Sequence, residues 1–298
     1  MTDLFAKTDR FLGMNGSWET AAWVYFGIPM DFTASFQPGS RFAPQRVREA
    51  SYALETYSLA QDRDLEEVPI VDAGDLELPF GNVAESLARI RAAAREILES
   101  GRRFFALGGE HLVTLPLVEA MVERYPDLAV VHFDAHADLR DQYLGERLSH
   151  ATVLRRVSER LKPRHLYQFG IRSATREEVR YAREFCHFYP HAVLEPFEAV
   201  LPELVGRPVY VTLDIDVVDP AFMPGTGTPE PGGISAAEAC RVMARLASLT
   251  VVGMDLVEAM PHQDLSQRSA VLAAKLVREA LLAVVPSGGD NDGSFAIG

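Results

Sequence analysis

Leu128-Ala-Val-Val-His-Phe-Asp-Ala-His-Ala-Asp138 is an apolar run that closes on acids. Asp134, His136 and Asp138 stand at i, i+2 and i+4, which puts them on one side of an extended chain, whereas on a helix the middle residue would point away. The spacing predicts that this segment continues a strand, with Ala135 and Ala137 small enough for close packing on the opposite side. Val209-Tyr-Val-Thr-Leu-Asp-Ile-Asp216 repeats the pattern, and Phe104-Phe-Ala-Leu-Gly-Gly-Glu-His111 ends a third apolar run on a histidine. Strand exits are where α/β sheets place their sites. The three segments together offer four Asp and two His to a common point.

Working outward, strand-like apolar runs recur at Trp23 to Phe26, Val68 to Ala73, Phe104 to Leu107, Leu128 to Phe133, Leu166 to Ile171, Val209 to Leu213 and Val251 to Leu256, with a weaker one near Phe185 to Tyr189. Helical patterns lie between most of them: one started by Pro44, then Ala84 to Leu98, Ala151 to Arg160, Ala236 to Leu246 and Ala270 to Val284. Such alternation means parallel pairing with right-handed crossovers. No Pro/Gly/Ser linker divides it and no internal repeat is visible, so the expectation is one α/β domain over residues 1–285, an open doubly wound sheet and not a barrel. Residues 286–298, rich in Gly, Ser, Asn and Asp, read as a flexible tail.

With 48% hydrophobic and 24% charged residues in a chain of 298, the composition is that of a globular protein with a well-filled core, which excludes disordered and collagen-like classes. Lys plus Arg number 29 against 42 Asp plus Glu, and the net charge of −13 opposes nucleic acid and anionic membranes and favours a small cationic partner. Cys186 and Cys240 form no CxxC pattern, so neither a disulfide framework nor a thiolate zinc site is expected. The first residues are acidic where a signal peptide needs a basic region, and no apolar run reaches membrane-spanning length, so the chain reads as cytoplasmic.

Four ionised carboxylates on one rim repel and raise one another's pKa unless cations compensate, and four negative charges balance two divalent ions. Mostly oxygen ligands with two imidazoles and no thiolate suit Mn²⁺. Two such ions lower the pKa of a shared water toward about 7, so a water-derived nucleophile needs no Ser or Cys.

Pro38-Gly-Ser-Arg-Phe-Ala-Pro44, Asp72-Ala-Gly-Asp75, Gly108-Gly-Glu-His111, His132-Phe-Asp-Ala-His-Ala-Asp138, Ser149-His150, Gly170-Ile-Arg172, Asp214-Ile-Asp-Val-Val-Asp-Pro220 and Gly253-Met-Asp-Leu-Val-Glu258 are an ordered set that resembles the ureohydrolase family of arginases and agmatinases. The resemblance spans nearly the whole chain and implies an eight-stranded, mostly parallel sheet in an arginase-like three-layer αβα fold, assembled as a homotrimer or homohexamer. It also implies that one Mn²⁺ is held by His111, Asp134, Asp138 and Asp214 and a second by His136, Asp134, Asp214 and Asp216. The chain departs from many relatives at Glu110 and Leu112, neither of which is a ligand in the family pattern.

A guanidinium carbon is a poor electrophile, and the group stays protonated. The resemblance assigns His150 to proton transfer, and Asp138 has a second possible duty in passing on the proton of the nucleophile. Glu258, just beyond a strand end, can accept paired N–H bonds from a guanidinium. His132 is open between support of Asp134 and core packing, and His165, His187, His191 and His262 fit no pattern. Leu139-Arg-Asp-Gln-Tyr-Leu-Gly-Glu-Arg-Leu148 has no Asn and looks like the agmatinase version of the loop, which with the acidic chain points to hydrolysis of agmatine to putrescine and urea. Arg140 and Arg147 keep open a carboxylate-bearing substrate such as 4-guanidinobutyrate, with arginine or an aminopropylated agmatine as further alternatives. Pro224 to Gly233 is Gly-rich but has no P-loop Lys, and reads as a wall of the site. The rival readings are a single-zinc deacetylase, disfavoured by six ligands, and a non-catalytic regulator of polyamine metabolism.

Overall fold

The apolar runs form the strands of one sheet, in a computed structural model that describes residues 4–286. The strands are β1 (Phe5–Ala6), β2 (Trp23–Gly27), β3 (Tyr57–Ser58), β4 (Arg63–Asp64), β5 (Ile70–Leu76), β6 (Arg103–Leu107), β7 (Ala129–Phe133), β8 (Leu166–Phe169), β9 (His187–Tyr189), β10 (Pro208–Asp214) and β11 (Thr250–Val257). The helices are α1 (Ala43–Ser51), α2 (Val83–Glu99), α3 (Thr114–Arg124), α4 (Val153–Ser158), α5 (Arg176–Phe185), α6 (Leu194–Leu204), α7 (Ala236–Arg245) and α8 (Arg268–Val284). All eight strand runs of the sequence are present and pair in parallel. The sheet has a ninth strand, the two-residue β1, antiparallel to β5 and too short to show a period. Strands β3 and β4 make a separate small hairpin. The expected tail lies, beyond Pro286, outside the described residues.

Strand order is β1-β5-β2-β6-β11-β10-β7-β8-β9. Residues of β2 and β7 are buried throughout, as a sheet covered on both faces requires. One core layer packs α1, α6, α7 and α8 against the sheet, and the other packs α2, α3, α4 and α5. The result is the three-layer αβα arrangement. Because β11 and β10 lie between β6 and β7, four adjacent parallel strands release their C-terminal ends at one place, the crevice where such folds bind ligands. No helix among the described residues is long and apolar enough to cross a membrane.

Two expectations about local structure are corrected. The Asp134 to Asp138 segment does not continue β7: the strand ends at Phe133, only His136 makes an isolated bridge, to Ser173, and Asp138 has a left-handed backbone with φ 53°. Likewise Asp214 ends β10 while Asp216 lies in a 3₁₀ turn, its N–H donated to Asp214 Oδ1 at 2.9 Å. Side-chain bonds to the local backbone win over strand pairing here, because short acidic side chains offer the chain an alternative partner.

Pro44 starts α1 as expected, and that helix carries Arg48, only 1% exposed. Its guanidinium grips Asp72 through Nε and Nη2 at 2.8 and 2.9 Å and Asp75 through Nη1 at 2.5 Å, and it lies over the ring of Tyr25. This cluster ties α1 to β5 and, through the N–H of Phe11 on Asp72 Oδ2, to the N-terminal segment. Arg48→Met keeps side-chain length but leaves two carboxylates without their cation. The expected cost is about 3–5 kcal/mol in urea unfolding, and a loss under about 1 kcal/mol would show that the cluster does not hold the layer.

Candidate metal centre

The ends of β7 and β10 deliver the four Asp, and His111 follows the end of β6. It opens the 3₁₀ turn that leads into α3 and is fully buried. Its Nδ1 is 3.2 Å from Asp134 Oδ2, 3.2 Å from Asp138 Oδ2 and 3.2 Å from Asp214 Oδ2, yet it has no hydrogen-bond partner. Behind the ring, Asp255 accepts from Thr212 Oγ1 at 2.6 Å, Thr114 Oγ1 at 2.8 Å and the Tyr210 hydroxyl at 2.6 Å. A hydroxyl has one proton, so Thr212, having given it to Asp255, accepts from His111 Nε2 across 3.0 Å. With Nε2 committed to Thr212, Nδ1 is the atom that faces the three carboxylate oxygens, holding a proton while protons balance their charge and free to ligate once a cation does. Such a donor set fits a divalent cation.

A second group adjoins it. His136 Nδ1 is 2.9 Å from Asp216 Oδ2 and 3.6 Å from Asp134 Oδ1. Asp134 Oδ1 also accepts the His136 N–H, and Asp216 Oδ1 accepts the Ala135 N–H at 3.0 Å, so each loop braces the other. By proximity, metal-competent groups form around His111, His132 and Asp134 and around Asp134, His136 and Asp216. His132 is close enough to belong but has no lone pair to give: Gln168 Nε2 donates to its Nδ1 at 3.1 Å, and its Nε2 then donates to Asp134 Oδ2 at 2.7 Å. It orients Asp134.

Electrostatics make the same point. With protons as the only balancing charge, burial and the repulsion of Asp134 push the Asp138 carboxyl up to about 7. Burial, Asp216 and Asp134 push Asp214 well above the carboxylate range. For Asp134 burial is outweighed by His132, His111 and His136, which hold it well below.

Above the cluster is a cavity of about 270 Å³, lined among others by His136, Asp138, Asp214, His150, Arg140 and Glu258. Glu258 has φ 61°, and its Oε1 accepts the His111 N–H at 2.7 Å while burial pushes its carboxyl up to about 8. His150, at the start of the 3₁₀ turn before α4, has its ring between Thr33 and Ser35, and burial lowers it to about 4, so it is neutral at pH 7. Of the other histidines, His165 bonds to Leu128 O, His187 stacks on Tyr167, His262 packs on Phe42 and His191 is in a left-handed turn, all away from the cavity. Cys186 is buried, Cys240 is half-buried and both are free.

The structure brings the six residues expected as ligands together and places His150 and Glu258 on the same cavity, while Thr212, Asp255 and Gln168 as their supports, and Thr33, are not named from the sequence. Asp255 alone left a trace, as a charged residue inside an apolar strand. Gly109 has its own reason: a Cβ there would be 1.9 Å from Met30 O, so the 28–30 segment can lie along the end of β6 only over glycine.

A carboxyl held at about 7 in the folded chain and about 3.9 unfolded binds more protons folded, so its stabilisation is lost as pH rises through 7. Asp214, and His111 and His136 held protonated by these carboxylates, act with the same sign. Chelator-stripped protein is therefore expected to melt lower at pH 8 than at pH 6.5, and Mn²⁺ to raise the midpoint more at pH 8. A midpoint indifferent to both pH and Mn²⁺ would count against a cation site.

Known proteins carry the same framework. Agmatinases of Bacillus anthracis and Bacillus subtilis are 50% and 49% identical to this chain, over 91% and 92% of it and 95% and 96% of their own lengths. The crystal structure of the agmatine ureohydrolase of Thermoplasma volcanium superposes with a TM-score of 0.85 at 31% identity, covering 94% of this chain and 95% of that one. With the arginase family model matching residues 21–283, the chain belongs to the arginase family.

Proposed function

We propose that this protein hydrolyses the guanidinium group of agmatine, giving putrescine and urea, with two Mn²⁺ ions per chain. The observation that carries the reading is His111 Nδ1, unbonded at 3.2 Å from three carboxylate oxygens below a cavity that His150 and Glu258 share. His111, Asp134, Asp138 and Asp214 would hold one ion, and His136, Asp134, Asp214 and Asp216 the other. When bound, the ions offset the carboxylate charge and lower the pKa of water.

The chain's own residues do the rest. Glu258 has one oxygen taken by the His111 N–H, which leaves Oε2 to accept from a guanidinium N–H. Asp138, which lines the cavity beside His136 and Asp214, can hold the proton that the attacking water gives up. Neutral His150 takes a proton at Nε2 and delivers it to the departing amine, which cannot leave as an anion.

Agmatine is favoured over carboxylate-bearing substrates because both candidate arginines are already engaged. The Arg140 guanidinium lies 5.0 Å above the Tyr143 ring with Nε 3.9 Å from Glu178 Oε2, and Arg147 pairs with Asp141 at 3.1 Å. The names of the half-identical relatives point the same way. The domain is taken as residues 1–285, working in the cytoplasm as a homotrimer or homohexamer without nucleic acid or membrane.

The test is urea release by Mn²⁺-loaded protein offered agmatine, arginine and 4-guanidinobutyrate side by side. Agmatine is expected to be the preferred substrate, with putrescine as co-product. Preference for either carboxylate-bearing compound would keep the chemistry and overturn the substrate. His150→Asn is expected to keep its metal and lose about 10²–10⁴-fold in turnover, and full turnover would remove His150 from the mechanism.

A further inference from the structure

Glu110 and Thr33 have no part in the reading above, yet together they reach the ring of His150. Glu110 is buried, and three donors from one loop converge on its carboxylate: the Phe32 N–H at 3.0 Å on Oε1, and the Thr33 N–H at 2.9 Å and Thr33 Oγ1 at 2.5 Å on Oε2. The single proton of the Thr33 hydroxyl is thus committed to Glu110. Its oxygen can only accept on the other side, and two donors are there: the backbone N–H of His150 at 3.0 Å and His150 Nδ1 at 3.4 Å. On the opposite edge of the ring, Ser35 Oγ is 3.2 Å from Nε2 and lines the cavity. The rings of Tyr143 and His150 stand at 85° to one another with centroids 5.8 Å apart.

We infer that Thr33 and Glu110 are positioning residues, a carboxylate–hydroxyl pair that fixes His150 with its proton on Nδ1 and its lone pair on Nε2 toward the cavity. The inference rests on the proton-transfer role of His150 proposed above. A proton on Nδ1 is what makes Nε2 the atom that can take a proton and return it, and the fixed ring supplies the orientation such a transfer needs. The arrangement also gives Glu110 a reason to be Glu: its side chain spans from the turn after β6 to the loop at residues 32 and 33, some 77 residues away in sequence. Ser35, which has its own proton to give, can donate to Nε2 when the ring proton is on Nδ1.

Thr33→Val keeps the shape and the backbone N–H but removes the hydroxyl. In the Mn²⁺-loaded enzyme it is expected to lower kcat about 10–100-fold, with KM for agmatine and metal content unchanged. Thr33→Ser, which restores the hydroxyl, is expected to recover most of the rate, and in a His150→Asn background Thr33→Val is expected to cost nothing more, because the pair acts through that ring. If Val is not accommodated, Thr33→Ala removes the same hydroxyl. Wild-type kcat in the hydroxyl-less variant, no rescue by Ser, a loss of metal, or an equal loss in the His150→Asn background would each overturn the inference. The His150→Asn single variant separates the two levels: if it is slow and Thr33→Val is fast, the positioning fails alone, and if it keeps full turnover, the role of His150 and its positioning fall together.

Discussion

Four carboxylates buried within reach of one another are the constraint to which the rest of this structure answers. Solvation does not relieve them, and the imidazoles beside them relieve Asp134 only, so that two of the other acids are driven toward protonation. The neighbouring imidazoles are aligned by hydrogen bonds that start from groups with a single possible polarity. Asp255 can only accept, so Thr212 donates to it and His111 turns Nδ1 to the acids. The Gln168 amide donates to His132, so His132 donates to Asp134. Each chain of bonds ends with a ring nitrogen or a carboxylate oxygen facing the same small volume, which is how a protein prepares a place for cations before they arrive.

The fold makes this possible by strand order. Inserting β11 and β10 between β6 and β7 brings together segments that are far apart in the chain, and parallel pairing puts all their C-terminal ends on one edge. Regular strands cannot continue there, and the backbone leaves them at a cost. Asp138 and Glu258 both take left-handed conformations that non-glycine residues adopt with strain of about 1–3 kcal/mol. Both line the cavity, so the strain falls where side chains must turn inward.

Much of this is legible in the sequence because it is written locally. Buried parallel strands are runs of apolar residues, and eight of them can be read off the chain, as can the helix that Pro44 starts. The two-residue β1 has no period to read, and α3, α5 and α6 are not among the helical patterns read from the sequence, although Thr175 and Glu178 form a capping box at the start of α5. The extended reading of Asp134 to Asp138 fails because i, i+2 spacing is also produced by turns in which acids bond to nearby N–H groups. Thr33 and Asp255 were out of reach for a different reason: their roles depend on contacts across the sheet or between distant loops, and nothing in the local pattern encodes a partner that topology alone brings near.

The claim on which everything else depends is that the cluster holds two cations, and the direct measurement is the number of Mn²⁺ ions bound per chain when stripped protein is titrated in a calorimeter and then assayed for metal after dialysis. Two ions per chain for the wild type, falling for Asp214→Asn, is the predicted result. A stoichiometry of one, or binding untouched by loss of the Asp214 charge, would contradict the account.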